Sequence, residues 1–137
     1  EIIDINGITF LALICYELIS SCYFHYLKTY YAFTLNISED CWFGNSIGPY
    51  QHFSHLIFRS IEEGKNSIRF TNNGISAFVN YKGEIINKIE STDRGVIEIR
   101  SLKFIKKTFF SSHGNKIFFY FLLIYISLIF FLKKKGS

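Results

Sequence analysis

The longest uninterrupted apolar pattern lies near the C-terminus. From Ile117 to Leu132 the chain reads IFFYFLLIYISLIFFL, without a charged residue, glycine or proline. A helix of this stretch, at about 1.5 Å per residue, is slightly shorter than the ~30 Å hydrocarbon core of a bilayer, and the flanking lysines can reach outward to the interface. A buried core helix is the alternative, but the segment is apolar on every face. The pattern predicts a transmembrane helix with the lysines at 133–135 on the cytoplasmic side.

Upstream of this segment, short apolar stretches alternate with helical patterns. Strand-like patterns cover Ile8–Cys15, Tyr31–Ile37, Ser67–Phe70, Ile75–Tyr81, Glu84–Ile89 and Val96–Leu102. The last stretch alternates apolar and polar residues, which is typical of a half-buried edge strand. The residues from Tyr81 to Glu84 are typical of a hairpin turn.

Two stretches have helical periodicity. Residues from Leu18 to Lys28 carry apolar side chains four apart. A second helix is predicted to begin at Pro49, which suits a first helical turn, and to end at Gly64, which suits a left-handed C-cap. Its apolar face comprises Phe53, Leu56, Ile57 and Ile61. The order of elements predicts a layered α/β sandwich at 1–107, a connector at 108–116, a membrane helix at 117–132 and a basic tail at 133–137.

Composition narrows the class of protein. The chain has 137 residues, of which 49% are hydrophobic, so it can bury enough apolar surface to fold. The net charge of +4 includes three lysines in the tail, which does not point to a nucleic-acid-binding face. Three cysteines without a CxxC spacing make a structural metal site improbable. Because the sequence contains no methionine, we expect it to be part of a longer polypeptide.

Cys15 is the main candidate for chemistry. It comes at the end of a predicted buried strand and just before a predicted helix, where a sharp turn presents nucleophiles. The backbone N–H of Tyr16 could then stabilise an oxyanion, and the helix N-terminus would favour the thiolate. The alternative is that Cys15 is a small, inert residue at a strand end. Spacing alone favours that alternative.

Three motifs favour the interpretation of Cys15 as a nucleophile. The run Ile14-Cys15-Tyr16-Glu17 resembles the nucleophile motif of apolipoprotein N-acyltransferases, which are membrane members of the nitrilase, or carbon–nitrogen hydrolase, superfamily. The runs Asp40–Gly44 and Ser46–Phe53 resemble a second motif of that family, and Thr71–Ala77 resembles a third. The motifs occur in the family's order, before a final membrane helix, and cover nearly the whole chain.

The resemblance implies a fold and an activity. It implies the C-terminal part of a nitrilase-like α/β/β/α sandwich on the periplasmic face of a bacterial inner membrane. The family transfers an acyl chain from a phospholipid to the α-amine of a diacylglyceryl-cysteine on an apolipoprotein, through a thioester. No metal or other cofactor and no nucleic acid is implied. The implied partners are the phospholipid, the apolipoprotein, the membrane and the upstream remainder of the same polypeptide.

The resemblance also implies roles for individual residues. Cys15 matches the nucleophile, Tyr16 would supply the oxyanion N–H, and Glu17 matches a glutamate that supports the site. The family's catalytic glutamate and oxyanion-stabilising lysine lie upstream of the cysteine, where this sequence has no counterpart. We therefore expect the 137 residues alone to be inactive.

The segment Trp42-Phe43-Gly44 matches a mobile, substrate-binding loop over the active-site mouth, and ordinary packing of this loop on the core is an equal alternative. Glu39 and Cys41 stand where we expect Asn and Ala, which affects the hydrogen bonding of the loop. Cys41 could pair with Cys22 in an oxidising periplasm.

Other residues leave alternatives open. His52 and His55 could bind a metal, but hydrogen-bonding roles are favoured because no third ligand follows at helical spacing. The segment Asn72-Asn73-Gly74 is interpreted as a tight turn, with packing beside the thioester pocket as the alternative. For function, the alternatives are a soluble-type nitrilase or amidase that hydrolyses a small amide, and a non-catalytic membrane remnant.

Overall fold

A computed structural model describes residues 1–20, 30–99, 102 and 108–135, with only the backbone at 134 and 135. Its centre is a six-stranded mixed sheet in which neighbours in space follow chain order. The strands are β1 (Ile2–Ile5), β2 (Ile8–Ile14), β3 (Phe33–Glu39), β4 (Asn66–Asn72), β5 (Ser76–Val79) and β6 (Ile85–Ile89). Strands β2, β3 and β4 are parallel, and the outer pairs are antiparallel. The mixed α/β class predicted from the sequence is confirmed.

The first strand was not predicted. It pairs with β2 through a two-residue turn in which Asn6 and Gly7 have φ values of +54° and +81°. An Asn-Gly pair between apolar runs is the usual signal for this kind of hairpin, because both central residues need positive φ. The signal was therefore present in the sequence at Asn6-Gly7.

The parallel strands bring distant parts of the chain to one edge of the sheet. Their register aligns Ile14, Ile37 and Phe70 in one row across β2, β3 and β4. Because the strands run in the same direction, the segments that follow them emerge at the same edge. Cys15 and the loop that begins at Asp40 therefore lie at this edge.

One helix covers one face of the sheet. Helix α1 (Gly48–Glu63) has Pro49 in its first turn, and it ends at Gly64, whose φ and ψ of 65° and 33° form the predicted left-handed cap. Of its predicted apolar face, Phe53 and Leu56 are buried against the sheet and Ile57 is partly buried, whereas Ile61 is 47% exposed. The core comprises Leu11, Leu13, Leu18, Tyr31, Phe53, Leu56, Ile75, Ala77 and Val79. This arrangement confirms the predicted start and end of the helix.

The covered face also contains two buried polar side chains within one row of the sheet. Leu13, Asn36, Arg69 and Ala77 lie side by side across four strands, and each is at most 1% exposed. Asn36 and Arg69 occupy central positions of β3 and β4. Polar groups buried this deeply require hydrogen-bonding partners, because water cannot reach them. The partners are part of the site described below.

The opposite face of the sheet is apolar and partly open. The row Ile14, Ile37 and Phe70 is 70%, 54% and 51% exposed, respectively. These residues alternate with the buried ones along their strands, as the two-residue period of a strand requires. The described residues thus provide one sheet and one covering helix of a layered fold.

Three predicted segments differ from the structure. The edge strand predicted at Val96–Leu102 is wrong for its described residues, 96–99 and 102, which form no strand. Val96 is 95% exposed, so its apolar side chain does not pack against the sheet. Of the helix predicted from Leu18 to Lys28, Leu18 belongs to a 3-10 turn (Cys15–Leu18), and residues 21–29 lie outside the described residues. The pairing suggested for Cys22 lies outside them as well.

The C-terminal region is helical. The predicted connector contains a short helix, α2 (Phe109–His113), whose N-cap Thr108 accepts a hydrogen bond from the N–H of Ser111. Helix α3 (Lys116–Lys135) has 20 residues, which corresponds to about 30 Å. It is longer than the apolar segment because the flanking lysines continue the helix. Between Lys116 and Lys133 it is long and apolar enough to cross a membrane, and none of that stretch is buried against the rest of the protein.

Candidate functional site

Cys15 lies in a sharp turn directly after β2. Its φ is +47°, in the left-handed region that side-chain-bearing residues rarely adopt. Such a conformation costs about 1–3 kcal/mol and persists only where the surroundings enforce it. Cys15 also begins the 3-10 turn that ends at Leu18, and its thiol is free and half-buried. The predicted strand-to-helix elbow is thus present at this position.

Hydrogen bonds hold both ends of this elbow. At its start, a carboxylate oxygen of Glu17 accepts the backbone N–H of Ile14 at 2.7 Å. At its end, the guanidinium of Arg59 donates to the carbonyls of Leu18 (3.1 Å) and Ile19 (2.9 Å). Glu17 therefore touches the backbone of the elbow, which is consistent with the supporting position expected for it.

Tyr16 contributes both its backbone N–H and its aromatic ring to the site. Its backbone N–H is in the first turn of the 3-10 segment, where a backbone N–H has no acceptor within the helix. Its ring stacks on the imidazole of His52, with centroids 5.2 Å apart and planes 17° apart, and it also contacts the ring of Phe43 at 6.3 Å. The structure thus brings Tyr16, His52 and Phe43 together beside Cys15.

The loop that contains Trp42 has features of both predicted arrangements, a loop exposed for substrate binding and a loop packed on the core. Trp42 is 74% exposed, and its indole N–H donates to the carbonyl of Glu39 at 2.8 Å. Phe43, in contrast, packs inward, and a Cβ added at Gly48 would lie 2.3 Å from its ring. Gly44 ends the turn at a φ of +53°. Phe43 therefore anchors the loop while Trp42 projects from it.

Glu39 and Cys41, which depart from the expected pattern, take part in the hydrogen bonding of this loop. The Glu39 carboxylate accepts the backbone N–H of Cys41 at 2.9 Å and the side-chain amide of Asn72 at 2.8 Å. These hydrogen bonds, chiefly the one from the Cys41 backbone, hold the pKa of Glu39 below its usual value. The side-chain amide of Asn73 donates to the Cys41 sulfur. Asn73 has a φ of +52°, which confirms the tight turn predicted at Asn72–Gly74.

A buried polar network lies directly behind the elbow, and sequence reasoning missed most of it. The Arg69 guanidinium donates to the Asp40 carboxylate at 2.8 and 3.0 Å and to the Asn36 side-chain oxygen. His52 lies 3.2 Å from Asp40 through Nδ1 and 3.2 Å from the carbonyl of Cys15 through Nε2. The available signal was the run of polar residues at alternate positions of β3, namely Thr34, Asn36 and Ser38, followed by Asp40.

Burial governs the charges in this network. Removal from water lowers the pKa of His52 below its ordinary value, and the nearby Arg69 cation lowers it further, which together outweigh the attraction of Asp40. Burial likewise lowers the pKa of Arg69, although the Asp40 carboxylate opposes that effect. The imidazole of His52 is therefore neutral at pH 7.

The hydrogen bonds also bear on metal binding. Both ring nitrogens of His52 are engaged within the protein, which confirms the hydrogen-bonding interpretation for this residue. Within the described part of the chain, no group of three His, Cys, Asp or Glu side chains could hold a metal ion.

A cavity of about 550 Å³ opens on the loop side of the network. It lies beside Asp40 and Cys41 and is bounded by Ser46, Tyr50 and Asn73, among others. Cys15 does not form part of its wall. The thiol and this cavity are therefore separate features of the site.

Curated relatives are similar to most of this chain. The apolipoprotein N-acyltransferase of Wigglesworthia glossinidia brevipalpis is 36% identical over 123 residues, which is 89% of this chain and 25% of the relative. That of Brucella suis is 39% identical over 93 residues, 68% of this chain and 18% of the relative. That of Rickettsia bellii is 35% identical over 120 residues, which is 83% of this chain and 24% of the relative. The chain thus spans about a quarter or less of the length of these relatives.

A protein-family model described as carbon-nitrogen hydrolase matches residues 1–100. The match includes the sheet, helix α1, the Cys15 elbow and the buried network behind it. It covers well over half of the chain, and this chain therefore belongs to the carbon-nitrogen hydrolase family.

Proposed function

We propose that Cys15 is the nucleophile of an acyltransferase that carries a fatty acyl chain as a thioester. The elbow geometry is the observation that carries this proposal, since a strained turn before a helical N-terminus presents the Cys15 thiol beside the backbone N–H of Tyr16. The names of the relatives support acyl transfer to an apolipoprotein as the reaction.

The chemistry has two balanced steps. In the first, the Cys15 thiolate attacks the ester carbonyl of a phospholipid, the acyl–oxygen bond breaks, and the lysophospholipid leaves with a proton. In the second, the α-amine of a diacylglyceryl-cysteine attacks the thioester. The amide forms, the amine proton is released and the thiolate is regenerated.

Neighbouring residues have separate proposed roles. The backbone N–H of Tyr16 stabilises the oxyanion of both tetrahedral intermediates, because it lies one residue after the nucleophile. Glu17 holds the elbow through the N–H of Ile14. Trp42, Phe43 and Gly44 form a substrate-binding lip, in which the exposed indole of Trp42 contacts the lipid.

The proposed membrane location of this reaction rests on helix α3. We propose that α3 crosses the bacterial inner membrane, with the sheet on the periplasmic side and the lysines at 133–135 on the cytoplasmic side. Its length, its composition and its lack of burial support this arrangement. The phospholipid donor then reaches Cys15 from the adjacent leaflet.

The general base and the oxyanion lysine of this reaction are proposed to come from sequence upstream of these 137 residues. The Glu17 carboxylate accepts a hydrogen bond from the N–H of Ile14, which leaves it poorly placed to take a proton from substrate. The described chain alone is therefore expected to form no thioester.

The test uses membranes that contain the complete polypeptide with these residues. Cys15→Ser is expected to abolish N-acylation of a diacylglyceryl peptide, because an alkoxide is far less accessible than a thiolate at neutral pH. The unsubstituted enzyme is also given phospholipid without the acceptor peptide and then digested. Mass spectrometry of the digest is expected to show an acyl adduct on the fragment that contains Cys15. The Cys41→Ser variant is the matched control and is expected to keep both activities.

Two results would contradict the proposal. One is full transfer by the Cys15→Ser variant. The other is hydrolysis of small amides without any acyl transfer, which would favour the amidase alternative.

A further inference from the structure

The carbonyl of Cys15 is held from inside the protein. It accepts a hydrogen bond from Nε2 of His52 at 3.2 Å and a longer one from the side-chain amide of Asn36 at 3.4 Å. A carbonyl that follows a residue at positive φ can rotate with the strained peptide unit. Two donors on this oxygen fix the orientation of the next peptide, and the N–H of that peptide belongs to Tyr16.

The surroundings of His52 select one tautomer. A carbonyl oxygen only accepts hydrogen bonds, so Nε2 must carry the proton. Because the imidazole is neutral, Nδ1 has a lone pair and accepts from Arg69, whose Nη2 lies 3.0 Å away. The same Nη2 donates its other proton to Asp40. Nδ1 also lies 3.2 Å from a carboxylate oxygen of Asp40, and Nη2 of Arg69 bridges these two acceptors by donating to both. The Nε2–H tautomer is therefore the neutral form that also fits the Cys15 carbonyl.

The imidazole is also fixed in space. It is 2% exposed and stacks against the ring of Tyr16. Arg69 is itself held by Asp40 and by Asn36, and both partners are at most 1% exposed. Ser38 donates a further hydrogen bond to Asp40 at 2.8 Å. Among the described residues only Nε of Arg69 lacks a hydrogen-bond partner in this network. The remaining hydrogen bonds leave the imidazole little freedom to rearrange.

We propose that His52 is a positioning residue for the nucleophile, which it serves by donating Nε2–H to the Cys15 carbonyl and thereby holding the elbow in its reactive shape. This role rests on the proposed function of Cys15. His52 reaches Cys15 through the backbone carbonyl, so it acts as a positioning residue and not as a catalytic base.

Two amide substitutions separate this role from simple packing. The Nε2 of a glutamine at position 52 can occupy the place of imidazole Nε2 and donate to Cys15. The shorter asparagine places its amide near the position of Nδ1, where it reaches Arg69 but not the Cys15 carbonyl. Both replacements are neutral and polar, so they form a matched pair for the test.

The readout is the iodoacetamide alkylation rate of Cys15, measured by mass spectrometry on the complete polypeptide in detergent, with Cys41 as internal reference. His52→Asn is expected to slow alkylation of Cys15 by about tenfold, the equivalent of one lost hydrogen bond. His52→Gln is expected to stay within about threefold of the unsubstituted protein, since it keeps that bond. Cys41 is expected to react equally in all three proteins.

An equal effect of both substitutions, or unchanged alkylation of Cys15 in His52→Asn, would overturn the proposal. So would a parallel loss at Cys41. A measurement on the unsubstituted protein does not depend on whether the variants fold: ¹⁵N chemical shifts must show the Nε2–H tautomer of His52, and an Nδ1–H tautomer overturns the role. The expected alkylation pattern in a protein that transfers no acyl chain would support the positioning role and contradict the acyltransferase function.

Discussion

At the scale of single residues, the buried pair of Asp40 and Arg69 has the largest energetic consequence. Both side chains are fully enclosed, and the carboxylate compensates the guanidinium directly. Removing one partner of such a pair leaves the other charge buried without compensation, which costs much more than the pair itself contributes.

Asp40→Ala is therefore expected to lower the free energy of unfolding by about 3–5 kcal/mol. Glu39→Gln is a neighbouring control; its carboxylate is exposed and the amide oxygen keeps one acceptor, so a much smaller loss than that of Asp40→Ala is expected. Denaturant titration of the chain in detergent compares the two. Similar losses for both variants would contradict the assignment of Asp40 to a buried ion pair.

His52 gives the protein a pH dependence with a definite sign. Its pKa is lowered in the folded state from an ordinary value of 6.5, so the unfolded chain binds the proton more readily. The stability that comes from a neutral His52 is complete above pH 6.5 and is lost as the pH falls through the lower, folded-state pKa.

Unfolding measured between pH 7.5 and 5 is expected to become easier in the unsubstituted protein than in His52→Gln, because glutamine does not titrate. The difference between the two proteins removes the effects of the other acidic and basic groups. Parallel pH curves would show that His52 has an ordinary pKa.

The residues of the site differ in how far the sequence could predict them. Cys15 was predictable because strand, elbow and helical turn are adjacent in the chain. Asn36, Asp40 and Arg69 were not, since their proximity follows from the parallel register of β3 and β4. His52 could be assigned a hydrogen-bonding role, but not its partner, because the elbow lies 37 positions away.

At the scale of elements, the loop edge of the parallel strands is packed closely around Gly48, next to Phe43, and around Gly74. A Cβ at Gly74 would lie 2.4 Å from the Asp40 carboxylate and 2.8 Å from the Thr71 hydroxyl. This turn therefore requires glycine for space, in addition to the positive φ at the preceding Asn73.

Gly74→Ala is expected to lower stability by about 1–3 kcal/mol through overpacking. Gly95→Ala is the matched control, because its Cβ would approach only the end of the Ile89 side chain, at 3.2 Å. Thermal melting of both variants provides the comparison. An unchanged melting temperature for Gly74→Ala would mean that the Asp40 loop is loosely packed.

Local signals determined which elements were predicted well. Helix α1 was predicted at both ends because Pro49 and Gly64 act through their own backbone preferences. The hairpin from β5 to β6 was predicted from its turn. The edge strand predicted at Val96–Leu102 was wrong for its described residues, because alternation of polar and apolar residues does not by itself provide a neighbouring strand.

At the scale of the whole molecule, the sheet has one covered and one open face. The row of Ile14, Ile37 and Phe70 exposes apolar surface that soluble monomers seldom leave in contact with water. An uncovered face is consistent with the part of an α/β/β/α sandwich that the family resemblance implies. Strand periodicity alone does not reveal which of two apolar faces lacks a cover.

The 137-residue chain is therefore expected to self-associate. Replacing both Ile37 and Phe70 by lysine is expected to reduce the light scattering of the chain at equal detergent concentration, while Ile61→Lys on the helix is the control. Scattering that is unchanged by the double substitution would mean that another surface, such as α3, causes the association.

The connection between α2 and α3 consists of Gly114 and Asn115 alone. Thr108, at the start of α2, donates through its hydroxyl to the carbonyl of Glu62 near the end of α1, so α2 is fastened to the sheet-bearing part of the molecule. If α3 is embedded in lipid, the Cys15 thiol is consequently held close to the bilayer by this short connection. Its encounters with lipid would resemble those at millimolar concentration, as expected for a short tether, and a water-soluble substrate would gain no such advantage.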